Sequence, residues 1–490
     1  MFAHRADAGE PETLNREYLD PLVKLQAGMS HSPTVDAPRD GQSAERADAG
    51  NGRAIDALRQ QTFRRVYTGA FCSNIGTWMQ NVVLGALAYD LTRSPSFVGL
   101  VLFAQLGPFL FFSMIGGLLA DTFDRRRLLI TISSTQIVLA IGLAAVARAD
   151  DPNRWAIVGI VFLIGMGQSV FGPTYSAVLP DLVGPGNLAG AISLNSAQMN
   201  GSRVIGPAIG GLLFARYGAS WVFLINAATY LFVIGALLSV TLPEVETSGA
   251  GEPRLRRLAL GFRIARARHP VGRCLLVMVA FAFLCLPFIG QLPVLADQNL
   301  GIAARSSAYG WLYAAFGLGA MLGALSIGTV FADFAKESLV RWGLVAFAIS
   351  LGVFAWLRQP APAYAVLAVV GFFYFGTVTS LSTVLQMHLA GNERGRVMAL
   401  WMMAFGGTVP IGNLVAGPLI DATSVTTVVF PGAILALGLA WWADLTPQRA
   451  DQRDRDHDPD GDQGGSDAVH PGPRRPRRRR PHHGDADVAA

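Results

Sequence analysis

Long apolar runs alternate with short polar breaks along most of this chain. The runs fall at about 66–89, 96–119, 128–149, 154–178, 188–215 and 219–241, and then at about 273–296, 307–331, 339–357, 363–389, 395–420 and 424–446. About 20 apolar helical residues cross a bilayer core about 30 Å thick, so each run predicts a membrane-crossing helix. The runs are continuously apolar rather than alternating, which excludes a closed β-barrel. The expectation is an all-α membrane protein with twelve transmembrane helices in two six-helix halves, 61–241 and 273–446. A basic linker at 242–272 joins them.

Composition sharpens this. Of the 490 residues, 51% are hydrophobic and 15% charged, with a mean hydropathy of +0.38. Most charge sits in the ends, and residues 61–446 hold 23 basic and 15 acidic side chains. So few charges cannot cover a soluble core of that size, which excludes an ordinary soluble enzyme. Residues 1–60 lack helical apolar periodicity and read as a disordered cytoplasmic tail, with Met29 an alternative start. Residues 447–490 read as a second disordered tail rich in Arg and Asp. Its run Arg474-Arg475-Pro476-Arg477-Arg478-Arg479-Arg480 suits anionic lipid or nucleic acid, but a solvated tail is the plainer reading and no nucleic-acid partner is expected. Cys72, Cys274 and Cys285 lie in apolar runs with no CxxC, so no metal or disulfide framework is expected. Only two lysines, Lys24 and Lys336, stand against 37 arginines. This fits a GC-rich bacterial genome.

Orientation follows from the basic residues. With the N-terminus inside, the inner loops of 61–446 hold 16 Arg/Lys and the outer loops hold six. The excess places both termini in the cytoplasm. Within the linker, Leu255, Leu258, Phe262 and Ala265 recur at helical spacing between arginines. This predicts a basic amphipathic helix suited to an anionic inner leaflet.

The chain also repeats itself. Shifted by 206 residues, Leu194, Gly201, Gly206, Gly211 and Leu213 fall on Leu400, Gly407, Gly412, Gly417 and Leu419; shifted by 211, Gly99 falls on Gly310. The fifth and eleventh spans, and the second and eighth, are therefore expected to be equivalent. A parallel six-plus-six duplication marks transporters whose halves rock about a central site.

Two motifs stand out. After the second span comes Gly116-Gly117-Leu118-Leu119-Ala120-Asp121-Thr122-Phe123-Asp124-Arg125-Arg126-Arg127. The glycines permit close helix approach, Asp121 is placed to cap a helix N-terminus, and the arginines hold the loop in the cytosol. The fifth span carries Gly201-Ser202-Arg203-Val204-Ile205-Gly206-Pro207-Ala208-Ile209-Gly210-Gly211, in which Gly206-Pro207 is expected to kink the helix and Gly206 and Gly210 form a GxxxG face. The first resembles the loop 2–3 motif of the major facilitator superfamily, matching at Gly117, Leu119, Ala120, Asp121, Arg125 and Arg126 and departing at Thr122. The second resembles the antiporter motif of exporters in that superfamily. The stretches Ser73-Asn74-Ile75-Gly76-Thr77-Trp78-Met79-Gln80 and Asn392-Glu393-Arg394-Gly395-Arg396 are similar to the subgroup of enterobactin exporters and macrolide efflux pumps. The resemblance covers 61–446. It implies alternating access, gating by Gly117, Asp121, Arg125, Arg126, Gly206, Pro207, Gly210 and Gly211, and closure of Asp121 onto the eleventh span near Arg394 or Arg396.

Polar residues inside apolar spans are costly and mark a substrate path or interhelical glue. The substrate-cavity candidates are Asn74, Gln80, Asn81, Gln105, Gln168, Asn195, Gln198, Arg203, Asn226, Gln291 and Gln386. Arg203 reads as a partner for an anionic substrate or buried acid, or as a snorkelling side chain. No span holds a carboxylate near mid-depth, so Asp297 and then Asp90 are the proton-coupling candidates; both read equally as hydrated anchors. No Walker A, HExxH, nucleophile–base or Rossmann pattern occurs, so neither enzyme chemistry nor a cofactor is expected.

The residues point to a multi-pass membrane protein of the bacterial cytoplasmic membrane; the resemblance implies a monomeric exporter of a small amphipathic molecule, such as a drug or siderophore, and it is the resemblance, not the residues, that implies coupling to protons. An importer of the same fold and a transporter-derived sensor or scaffold are the alternatives. Asp121→Asn is expected to lower the transport rate at unchanged membrane abundance, which initial-rate assays normalised to immunoblots measure; equal rates would remove the gating role.

Overall fold

The computed structural model describes residues 54–241, 254–443 and 445, and its regular structure is helical throughout. The first half runs α1 (Ala54–Arg59), α2 (Gln61–Thr92), α3 (Pro95–Leu106), α4 (Pro108–Thr122), α5 (Arg125–Arg148), α6 (Arg154–Val183), α7 (Leu188–Tyr217) and α8 (Ala219–Leu238). The second runs α9 (Arg254–Ala267), α10 (His269–Ala280), α11 (Pro287–Gly290), α12 (Leu292–Leu300), α13 (Ser307–Gly328), α14 (Lys336–Trp356), α15 (Pro360–Met387), α16 (Gly391–Ala422) and α17 (Val425–Trp442). Among the described residues, ten spans are long and apolar enough to cross a membrane. The helices α2 and α7 have 32 and 30 residues. They are more polar, because they carry Ser73, Asn74, Thr77, Gln80 and Asn81, and Asn195, Gln198, Ser202 and Arg203.

Three local features differ from the sequence expectation. Residues 54–59, taken as tail, form α1; Ala57 is buried there, and Gln60 Nε2 donates to Val183 O at 2.9 Å. The second run is divided at Gly107-Pro108 into α3 and α4. The seventh is divided more deeply, by a π turn at Phe281–Cys285 and by Pro287 and Pro293. Proline has no N–H for the i−4 carbonyl, and a π turn inserts one extra residue into the ladder.

One end of the bundle carries the turns at 93–94, 149–153, 301–306 and 423–424; the opposite end carries those at 123–124, 184–187, 329–335 and 388–390. Exposed tryptophans mark both. Trp155, Trp221, Trp311 and Trp356 lie towards the turn-93 end, and Trp342 and Trp441 towards the turn-123 end. Such belts match the two interfaces of a bilayer. Exposed Leu, Ile and Phe side chains lie between them.

At the turn-123 end, Asp124 caps α5, accepting from Arg127 N at 2.6 Å. Asp121 falls in the last turn of α4; its side chain and Gly117 lie outside what the structure describes. The cap falls on Asp124 because α4 continues helically through Thr122. Arg125 pairs with Asp181 at 2.9 Å and donates to Ala177 O. Arg126 donates to Leu237 O and Leu238 O at 2.7 and 2.9 Å, satisfying carbonyls at the end of α8. The Arg run thus ties α5 to α6 and α8. The linker helix forms as α9 and packs along α16: a Cβ at Gly261 would stand 3.0 Å from Arg396 O. Arg268 completes the junction, pairing with Glu393 at 2.8 Å and donating to His388 O at 3.0 Å.

The halves meet through two helix pairs, α7 with α13 and α3 with α16. The internal repeat exchanges one pair for the other. Its equivalent glycines occupy equivalent close approaches. Gly310 of α13 abuts α7, where an added Cβ would lie 2.6 Å from Gly211 Cα; its counterpart Gly99 of α3 abuts Asn413 O of α16. Gly206 seats α7 on α2 (2.6 Å from an added Cβ to Trp78 Cβ), and its counterpart Gly412 seats α16 on Phe283 O (2.5 Å). Pro207 is accommodated within an unbroken α7.

Inside the second half, α13 and α15 pack backbone to backbone, with Gly319 against Ala368 O and Gly323 against Phe372 O. A Cβ at Gly319 must push the helices apart, an overpacking cost of about 1–3 kcal/mol. Gly319→Ala is expected to lower the melting temperature in detergent, whereas Gly235→Ala, whose added Cβ meets nothing within 4 Å, leaves it unchanged or raised; equal melting of both variants would refute the packing.

Candidate functional site: a cavity between the halves

A cavity of about 370 Å³ lies where the two halves face each other. The first half supplies Trp78, Asn81 and Gly85 of α2, Leu102 and Gln105 of α3, Phe109 of α4, and Met199 and Arg203 of α7. The second supplies Ile289 and Pro293 from the broken seventh span, Tyr309, Tyr313 and Phe316 of α13, Tyr374 and Phe375 of α15, and Met402, Phe405 and Val409 of α16. The broken span lets α11 and α12 turn residues on either side of Gln291 to the wall. The lining is mostly apolar and aromatic, with few polar groups, as in small-molecule sites generally.

Three of the eleven cavity candidates stand in this wall. Gln105 Nε2 donates to Asn81 Oδ1 at 2.6 Å, joining α3 to α2. Arg203 stands between the halves: its guanidinium carbon lies 4.9 Å from the Trp78 ring centre and 4.2 Å from that of Phe375. These distances are within cation–π range. Its Nη1 reaches Asn200 Oδ1 at a long 3.4 Å, and its Nε is buried without a hydrogen-bond partner. No carboxylate among the described residues pairs with it, which sets aside the buried-acid reading.

The other eight lie elsewhere. Asn226 donates to Gln80 Oε1 at 2.8 Å, and Gln168 donates to the Tyr230 hydroxyl at 2.9 Å; these bonds hold α2, α6 and α8 together within the first half. All three amides point into the half, where the partner is another helix rather than the cavity. Gln291 is fully buried on the seam, donating to Pro95 O at 3.1 Å. Gln386 bonds Ser382 of its own helix, and Asn74 donates to Met199 Sδ at 3.7 Å. Gln198 is buried with both amide atoms unpartnered, and neither it nor Asn195 lines the cavity.

A polar cluster joins the halves at the turn-93 end. Asp297 accepts from the Tyr89 hydroxyl at 3.1 Å and pairs with Arg93 at 3.2 Å; Asp90 stands 3.7 Å from the same guanidinium. Beside it, Asp421 at the end of α16 accepts from Ser96 N at 3.0 Å, from Ser94 Oγ at 3.2 Å and from Ser96 Oγ. A carboxylate from one half thus caps the N-terminus of α3 in the other. Sequence reasoning did not select Asp421. Its signal was faint, since an aspartate after an apolar run is what any loop supplies.

Among the described residues no group of three or more His, Cys, Asp or Glu converges as metal ligands would, and Cys72, Cys274 and Cys285 are free thiols.

Comparison with known proteins agrees with this architecture. Residues 53–460 match the model of a family described as transmembrane secretion effectors. The enterobactin exporter EntS of Shigella flexneri is 30% identical over 351 residues, covering 69% of this chain and 80% of that protein. EntS of Escherichia coli O127:H6 is 31% identical over 356 residues with the same coverage. Among solved structures, the nucleoside transporter NupG superposes with a TM-score of 0.65 at 13% identity, covering 78% of this chain and 98% of that one. A bacterial homologue of the iron transporter ferroportin, in an inward-facing state, gives 0.61 at 15% identity over 78% and 98%. The chain belongs to the transmembrane secretion effector family of the major facilitator superfamily and is a multi-pass membrane transport protein.

Proposed function

We propose that this protein exports a small amphipathic molecule, a drug or siderophore, across the bacterial cytoplasmic membrane by alternating access coupled to proton entry. One observation carries the reading: an aromatic-lined cavity lies between two duplicated halves that touch through glycine-packed helix pairs. Ten apolar spans with the more polar α2 and α7 support a reading of twelve crossings, and the arginine-rich turns favour the turn-123 end as the cytoplasmic one. The similarity to proteins named enterobactin exporter favours export over import. The protein works as a monomer, since both halves of the cavity come from one chain.

On this orientation the turn-93 cluster is the outer gate, closed in this conformer. Asp297 and Asp421 face the outside at the point where the halves separate. Protonation of either weakens a contact between halves: Asp297 loses its charge against Arg93, and Asp421 loses its charge at the N-terminus of α3. Each contact is worth of the order of 1 kcal/mol or less, because surface ion pairs and helix-end charges are weak. Such modest terms suit a gate that must open on every cycle. Asp297, with Asp90 sharing Arg93, is the proposed coupling group, and Asp421 its companion.

Two measurements test this. Substrate uptake into inside-out vesicles energised by an imposed proton gradient, and its loss with a protonophore, supports export; uptake confined to right-side-out vesicles supports import instead. Spin labels at the exposed Tyr217 and Ala303 report the gate. In Asp297→Asn/Asp421→Asn the longer-distance population is expected to rise about tenfold, the shift that losing about 1.4 kcal/mol from the closed state produces, and its dependence on external pH to flatten. An unchanged distance distribution would reject the gate.

A further inference from the structure

We propose that the cavity selects aromatic anions, with Arg203 binding the negative group and the surrounding rings binding the aromatic face; this deepens, and rests on, the exporter reading above.

The argument starts from charge. Arg203 is half-buried, with its Nε fully withdrawn from solvent, and a guanidinium so placed is stabilised by an anion or by several acceptors, because charge taken out of water without a partner is costly. Arg203 has neither among the described residues: one long contact to Asn200 Oδ1, and a buried Nε with no acceptor. The rings of Trp78 and Phe375 stabilise its faces but offer no in-plane acceptor. Its donors lie in the plane of the fork, which suits a carboxylate or similar oxyanion. Among the described residues no Asp, Glu, Lys or His lines the cavity. A cationic substrate would meet a fixed positive charge with no counter-charge, and a bare aliphatic acid would leave the ring surface unused.

The surroundings set the rest of the ligand. Tyr313, Tyr374 and Phe316 add ring faces, the two tyrosines add hydroxyls, and the Asn81–Gln105 amide pair offers neutral hydrogen bonds in the same lining. A flat aromatic body with an acidic group and further polar substituents uses the guanidinium, the rings and the amide pair together. Arg203 belongs to the first half and Phe375 to the second, so an anion at Arg203 binds where the halves must move apart.

The test uses purified full-length protein in detergent with three matched probes: 2-naphthoate, neutral 2-naphthol and cationic 2-naphthylmethylamine, read by equilibrium binding. The acid is expected to bind tightest and the amine weakest. Arg203→Gln should weaken 2-naphthoate about tenfold or more, the loss of a charge-assisted contact, while 2-naphthol stays within about twofold. That neutral probe also shows that the variant is folded. Arg203→Lys, which keeps the charge but loses the planar fork, should recover part of the loss. Three outcomes overturn the proposal: no saturable binding of 2-naphthoate to the wild type, preference for the amine, or equal weakening of acid and alcohol in Arg203→Gln. The last is what a purely structural bridge from Trp78 to Phe375 would give. Selective anion binding by a protein that shows no vesicle transport would leave this inference standing and remove the exporter reading, so the two failures are separable.

Discussion

The structure rests on helix contacts too close for side chains. Where α7 meets α13 and α3 meets α16, the backbones approach so nearly that an added Cβ at Gly310 or Gly99 strikes the partner's main chain. In a bilayer, lipid is as apolar as leucine, so helix association depends on packing rather than on hydrophobic burial. Close backbone contact supplies much dispersion energy without locking side chains together. Such a joint holds two halves in register yet has few interdigitated side chains to disengage. The cavity exists because these two joints hold the halves at one end while the aromatic side chains of α13 and α15 fill only part of the space between.

This constraint explains why the duplication was legible. Among the positions that survive a shift of 206 or 211 residues are ones where only glycine fits, so Gly206 and Gly412, or Gly99 and Gly310, keep their spacing while many side chains around them differ. The helices were legible for a related reason, since continuous apolar runs have few structures open to them in lipid. What escaped was local. Asp124 caps α5 because α4 runs on to Thr122, and nothing in a run of polar residues shows where the last helical turn ends. The seventh run reads as one helix in hydropathy, yet Pro287 and Pro293 with a π turn break it.

The polar candidates divide on something a linear sequence holds weakly, the direction of each side chain around its helix. Gln80 and Asn81 are neighbours, but successive residues on a helix point about 100° apart. Gln80 therefore turns inward to Asn226 while Asn81 turns to the cavity and Gln105. Composition marks both equally. Only the partners distinguish glue from lining, and those partners lie 24 and 146 residues away.

The placement of charge separates two tasks. Asp90, Asp297 and Asp421 stand at the turn-93 end, where the halves touch and each contact is weak enough to break. Arg203 in the wall lies between the halves, held by rings from both and matched by no acid among the described residues. An acid at mid-depth would pair with Arg203 and silence it, so the absence of carboxylates near mid-depth of the spans, awkward for a proton path through the cavity, is what keeps the guanidinium available. Proton and substrate then act on different parts of one moving joint: the first on the contacts that close the outer end, the second on the cation that bridges the halves. Coupling between them needs no direct contact, because both bias the same separation of the two halves.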